Sequence, residues 1–153
     1  GCGPGHLVRL LRGALNIAAD GFDLYPPEGE HFYRADLCSE LPIVEWDTPY
    51  CDYDLVVNRE VLEHLTIRQI RKAVTNLCEL SSQFVYVTTR VTQARHFLDF
   101  ATADDLDPTH ISIMPKSWLR HLFILEGFKS RPDLEVRLDW QRKGRVLVYE
   151  RAA

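Results

Sequence analysis

The chain is poor in cysteine and methionine and lacks any long apolar run. Its four cysteines, Cys2, Cys38, Cys51 and Cys78, form no Cys-x-x-Cys pair. That spacing excludes the familiar zinc and dithiol signatures, and the scatter does not read as a disulfide framework. Reduced thiols are expected, and with them a cytoplasmic protein. No apolar stretch approaches the roughly 20 residues that span a bilayer, and no signal peptide is visible, so no membrane attachment is expected. No Gly-Lys-Ser or Gly-Lys-Thr occurs, which removes the P-loop. Basic side chains are outnumbered, 18 against 22 acidic, for a net charge of −4. A general nucleic-acid-binding face is therefore not expected. Repeats, low-complexity tracts and an interdomain linker are absent. What remains is 153 residues, 46% of them hydrophobic, enough apolar mass for the core of a single domain over residues 1–153.

Against these absences, the first five residues stand out. Gly1-Cys2-Gly3-Pro4-Gly5 places glycine at alternate positions, where the backbone can take positive φ and come close to a ligand. His6 to Leu15 follows as a helix, with Leu7, Val8, Leu11 and Leu15 on one face. A glycine-rich turn feeding a helix start aims unpaired N–H groups and the positive dipole end at an anion. Asp23 comes twenty positions after Gly3 at the end of an apolar stretch, where nucleotide-binding α/β folds carry the acid that grips ribose. A dinucleotide fingerprint would need a third glycine at position 6, which is His6.

Asn16 to Asp23 reads as a strand, ended by the turn signal Tyr25-Pro26-Pro27-Glu28-Gly29. His31 to Ala35 reads as another, and Cys38 to Asp52 as loop. Tyr53 to Asn58 is a near-continuous apolar run, expected of a parallel strand buried on both faces. Thr66 to Leu80 reads as a helix with Ile67, Ile70, Val74 and Leu77 on one face and a Thr66/Gln69 capping box. Phe84 to Thr89 is strand-like. Met114 to Glu126 reads as a helix with Trp118, Leu122 and Leu125 as its apolar face, Pro115 in its first turn and Gly127 just past its end. Leu134–Trp140 and Arg145–Glu150 alternate and predict a terminal antiparallel hairpin. Alternating strands and helices imply an α/β layer fold with a mainly parallel sheet.

Five segments, in order, resemble the class I S-adenosylmethionine-dependent methyltransferases of the small-molecule type. Gly1 to Gly5 resembles motif I, Gly21-Phe22-Asp23-Leu24 motif II and Ala35-Asp36-Leu37 motif III. Tyr53 to Leu65 resembles motif IV, and Ser117 to Phe128 the late helix ending in Glu-Gly-Phe. The resemblance implies a Rossmann-like methyltransferase fold with a C-terminal antiparallel hairpin. It also implies a first strand, ending in an acid, ahead of Gly1. The chain starts at the loop, its only methionine is Met114, and an N-terminal truncation is expected. The resemblance further implies S-adenosylmethionine as cofactor. Gly1, Gly3 and Gly5 would let the backbone approach its amino acid and ribose. Asp23 would accept from the ribose hydroxyls, and Leu24 would lie against adenine. Asp36 would accept from the adenine amine, Leu37 would supply a backbone donor to the ring, and Asn58 would wall the methionine end.

Residues 90–113 are the least regular and chemically richest stretch, with Arg90, Gln93, Arg95, His96, Phe97, Phe100, Asp104, Asp105, Asp107 and His110. The segment is expected to cap an acceptor pocket and to hold a short helix around Gln93–Ala101. Methyl transfer needs a base only when the acceptor must lose a proton. His110 is the first candidate and Glu60 the second. Glu63 and His64 read as packing or hydrogen-bonding residues. The spacing of His96, Asp104 and Asp107 matches no metal pattern, and no metal is expected. The function expected is methyl transfer to an unidentified small molecule. The alternatives are a protein methyltransferase and a non-catalytic binding or dimerisation domain of the same fold.

Overall fold

The computed structural model describes residues 1–40, 53–92 and 107–152. The chain divides into two compact units, Gly1–Val44 and Glu45–Ala153.

In the first unit, α1 (His6–Leu15) is followed by β1 (Gly21–Asp23) and β2 (Phe32–Arg34). The two strands pair in parallel, with Gly21 opposite Phe32 and Asp23 opposite Arg34. The expected strand Asn16–Asp23 thus shrinks to three residues. Asn16 adopts a left-handed conformation at φ 52° and its N–H returns to Leu11 O. Ile17 N–H does the same. The helix end therefore consumes the first residues of the apolar stretch. Of the expected face of α1 only Val8 is buried, while Leu7 and Leu15 are exposed.

The second unit is built on a four-stranded sheet in the order β3-β4-β8-β7. Strand β3 (Tyr53–Arg59) leads through a 3₁₀ turn (Leu62–His64) into α2 (Ile67–Leu80) and then β4 (Ser81–Thr88). β3 and β4 are parallel, with Asn58 opposite Val87. The capping box is present: Gln69 N–H donates to Thr66 Oγ1, and Thr66 N–H donates to Gln69 Oε1. At the other end of α2, Arg151 donates to the carbonyls of Cys78 and Ser81 at 2.7 and 2.6 Å, closing the helix with a cation where the dipole favours one. Ile70, Val74 and Leu77 are buried as expected, but Ile67 is exposed. β3 is not buried on both faces. Val56 and Asn58 are buried, and Leu55 and Val57 are exposed.

β5 (Val91–Thr92) pairs in parallel with β6 (Met114–Pro115). α3 (Lys116–Leu125), β7 (Phe128–Ser130), α4 (Pro132–Leu138) and β8 (Val146–Arg151) complete the unit. β8 runs antiparallel to both β4 and β7. Leu119, Leu122 and Phe123 form the buried face of α3, and Phe123 stacks on Tyr149 with centroids 3.9 Å apart. Trp118 is only half-buried and Leu125 is exposed. Gly127 takes φ 81° just past the helix, as its position implies.

The terminal hairpin needs correction. Its second strand exists as β8, but Leu134–Trp140 is not a strand. Pro132 opens α4 at its first turn, where Asp133 and Glu135 suit the helix dipole. Glu135 is then buried, with Lys116 Nζ at 3.0 Å and Arg120 Nη2 at 2.6 Å. The antiparallel neighbours of β8 are instead β4 and the edge strand Phe128–Ser130. Three of the five strand pairings among the described residues are parallel, but within the four-stranded sheet only β3–β4 is, so the architecture is mixed α/β and that sheet is not the mainly parallel one expected.

Candidate functional site

The glycine loop is locked to the end of β1. Cys2 N–H donates to Phe22 O at 2.8 Å, and Gly5 N–H turns back to Cys2 O at 3.1 Å. Gly3, at φ 53°, sends its N–H to Asp23 Oδ2 at 2.9 Å. The other Asp23 oxygen accepts from Tyr25 N–H at 3.0 Å. Burial works to raise the Asp23 pKa, but the Tyr25 and Gly3 amides, together with the Gly1 ammonium and the Leu24 amide, hold the carboxyl below its ordinary value. A carboxylate has about four acceptor sites, so two amides leave room for hydroxyl donors.

The glycines differ in what they permit. A Cβ on Gly5, at φ 78°, would collide with the Phe32 ring. Among the described residues, a Cβ on Gly3 would meet no atom within 4 Å beyond its chain neighbours. The space beside Gly3 is open, so a ligand can reach its backbone. Gly5 is also the N-cap of α1, and no side chain caps that end. The first-turn N–H groups thus lack a side-chain acceptor.

Leu24 is half-exposed at the end of β1. Asp36 follows β2 and closes a turn: Cys38 N–H donates to Oδ1 at 2.8 Å and the Ser39 hydroxyl to Oδ2 at 2.9 Å. The Cys38 amide and then the Ser39 hydroxyl lower its pKa. Leu37 is half-buried inside that turn.

In the second unit, Asn58 is 4% exposed near the end of β3, and its Oδ1 has no hydrogen-bond partner among the described residues. Two residues on, Glu60 has φ 50° and donates its N–H to Thr88 O at 2.8 Å. A positive φ on a non-glycine residue is uncommon and marks local strain. Glu63 is fully buried and accepts from the Thr89 hydroxyl at 2.7 Å. Burial pushes its carboxyl upward, the Thr89 hydroxyl pulls it back, and the Glu60 carboxyl adds to the rise.

His110 is brought to this turn from far along the chain. Its ring lies 4.9 Å from that of His64, centroid to centroid. His64 Nδ1 is 3.1 Å from Thr109 O, and Ser112 N–H donates to Glu63 O. One ligand atom from each of Glu63, His64 and His110 falls within 4.8 Å of the others. The sequence reading gave Glu63 and His64 packing and hydrogen-bonding roles, and Glu63 has both. It missed their meeting with His110, for which the Glu-His dipeptide alone holds no signal. The expected helix over Gln93–Ala101, the side chains of Gln93, Arg95, His96, Phe97, Phe100, Asp104 and Asp105, and Cys51 lie outside the described residues. Cys2, Cys38 and Cys78 are free thiols. No helix among the described residues is long and apolar enough to cross a membrane.

No family model matches the chain, and no curated protein matches it in sequence. Solved structures do. The chain is similar to the [4+2]-cyclase SpnF at 13% identity and TM-score 0.63, covering 100% of this chain and 74% of that one. It is similar to magnesium protoporphyrin IX methyltransferase (ChlM) from Synechocystis PCC 6803 with bound SAH, at 17% identity and TM-score 0.51. That match covers 83% of this chain and 52% of ChlM. An O-methyltransferase family protein from Burkholderia thailandensis matches at 14% identity and TM-score 0.53, over 80% of this chain and 36% of that one. The chain therefore has the class I methyltransferase fold, and spans about half of ChlM or less of the O-methyltransferase.

Proposed function

We propose that this chain is an S-adenosylmethionine-dependent methyltransferase acting on a small molecule, with residues 1–153 as one methyltransferase domain. Fold alone does not select this reading, since one similar structure is a cyclase. The observation that carries it is the tie between Gly3 N–H and Asp23. It fixes the acid of the second motif against the loop of the first, beside open space. ChlM, of the same fold, holds SAH.

The residues present fit the cofactor. Gly3, beside open space, admits it to the loop backbone between Gly1 and Gly5, and the uncapped start of α1 suits its carboxylate. Asp23 takes the ribose hydroxyls on its remaining lone pairs, and half-exposed Leu24 covers one side of the adenine. Asp36 and Leu37 meet the adenine edge. The resemblance also assigns Asn58 to the methionine end, and its buried Oδ1 is an acceptor without a partner among the described residues.

When bound, the cofactor supplies a methyl group on an already activated sulfonium. The protein's work is then to align the acceptor in line and to exclude water. The acceptor's lone pair forms the new bond, and the electron pair of the broken bond stays on sulfur. Where the acceptor loses a proton, His110 or Glu60 receives it. Incubation with S-adenosylmethionine and a panel of phenols, carboxylic acids and amines tests this. Acceptor-dependent formation of S-adenosylhomocysteine is expected. Cofactor binding with no turnover across the panel would favour the protein-methyltransferase or binding-module alternatives.

A further inference from the structure

We infer that Glu63, His64 and His110 hold a divalent transition-metal ion. One carboxylate oxygen and two imidazole nitrogens lie within 4.8 Å of one another. Metal bonds of about 2.0–2.2 Å bring such atoms closer together than that, so small ring rotations close the site. The turn Leu62–His64 supplies two of the ligands. The third arrives on the segment that Ser112 N–H fastens to Glu63 O at 3.1 Å.

The second reason is the setting of each ligand. A carbonyl can only accept, so the contact from His64 Nδ1 to Thr109 O puts the proton on Nδ1. The lone pair of His64 is then on Nε2. Asp107 Oδ2 lies 3.5 Å from His110 Nε2, and Asp107 is itself held by the Thr109 amide and hydroxyl. The Thr89 hydroxyl fixes Glu63 at 2.7 Å. Each imidazole thus has an oxygen partner at one nitrogen and the carboxylate is oriented by a donor. Metal-binding histidines and carboxylates are supported in this way. A packed core histidine pair needs no such arrangement.

Two nitrogens and one oxygen select Zn²⁺, Co²⁺, Mn²⁺ or Fe²⁺ over Mg²⁺ and Ca²⁺, which favour all-oxygen sets. Three protein ligands leave a position open, as in sites that bind a reacting group. This inference does not depend on methyl transfer. Where both hold, the ion would lower the pKa of an acceptor oxygen bound at its open position.

Cobalt absorption on the whole protein tests the site, because Co²⁺ reports its own ligands. Visible bands of nitrogen and oxygen ligation are expected at one equivalent, displaced by Zn²⁺ and unaffected by millimolar Mg²⁺. His64 is exposed, so His64→Ala should keep the native circular dichroism and lose affinity for Zn²⁺ by at least a hundredfold, as should His110→Ala. Glu63→Gln retains an acceptor for Thr89 and should also weaken binding. Absence of cobalt bands would overturn the inference. So would thiolate charge-transfer bands, or native Zn²⁺ affinity in folded His64→Ala and His110→Ala proteins.

Discussion

Asp23 accepts two backbone N–H groups, one from the glycine loop and one from the following turn. Its carboxylate therefore links loop geometry to ligand binding. Asp23→Ala should weaken S-adenosylhomocysteine binding by about one to two decades, from roughly 1.5–3 kcal/mol for a charge-assisted hydrogen bond. Calorimetry on the folded variant measures it. Unchanged affinity would make Asp23 a turn residue only. Asp36 offers a pH test. Its folded pKa is lowered by the Cys38 amide and Ser39 hydroxyl. Its contribution is therefore complete above the ordinary aspartate value and is lost as pH falls through the lower folded value. The Cys38 amide resonance should shift in that acid window; a shift centred at the ordinary value would contradict the hydrogen bonds. Both acids were visible in the sequence as carboxylates at strand ends. Their amide partners were not, because these depend on how the turns close.

Among the elements, α2 was the most legible. Its apolar spacing and its Thr66/Gln69 signal are local, and both survive in the fold. Thr66→Ala should cost about 1 kcal/mol in urea denaturation, the usual worth of an N-cap. α4 was not legible, because Leu134, Val136, Leu138 and Trp140 alternate like a strand. Val136 and Trp140 are exposed, so alternation here reports no buried face. The deciding contacts come from outside the segment. Glu135 joins Lys116 and Arg120 of α3, accepts from Ser130 Oγ of β7 and meets Val148 N–H of β8. Glu135→Ala should destabilise the protein by about 2 kcal/mol, less than a fully buried pair because both cations are partly exposed. Urea unfolding measures the loss. A cost within a few tenths of a kcal/mol would show that α4 stands without this network.

At the scale of the molecule, the ordered motifs carried the α/β class, the parallel β3–β4 pair and the late antiparallel strand. The loop and Asp23 could be read because the chain itself separates them by a fixed interval. The meeting of His64 with His110 could not, since it depends on the segment after residue 106 returning to the turn at Leu62–His64. The β5–β6 pair was equally hidden, at two residues per strand. The central claim is that the loop, Asp23 and the uncapped start of α1 serve S-adenosylmethionine. Calorimetric titration of the protein with S-adenosylhomocysteine, NAD and ATP in parallel tests it most directly. Micromolar binding of S-adenosylhomocysteine is expected, with NAD and ATP far weaker; tighter binding of NAD than of S-adenosylhomocysteine would contradict the account.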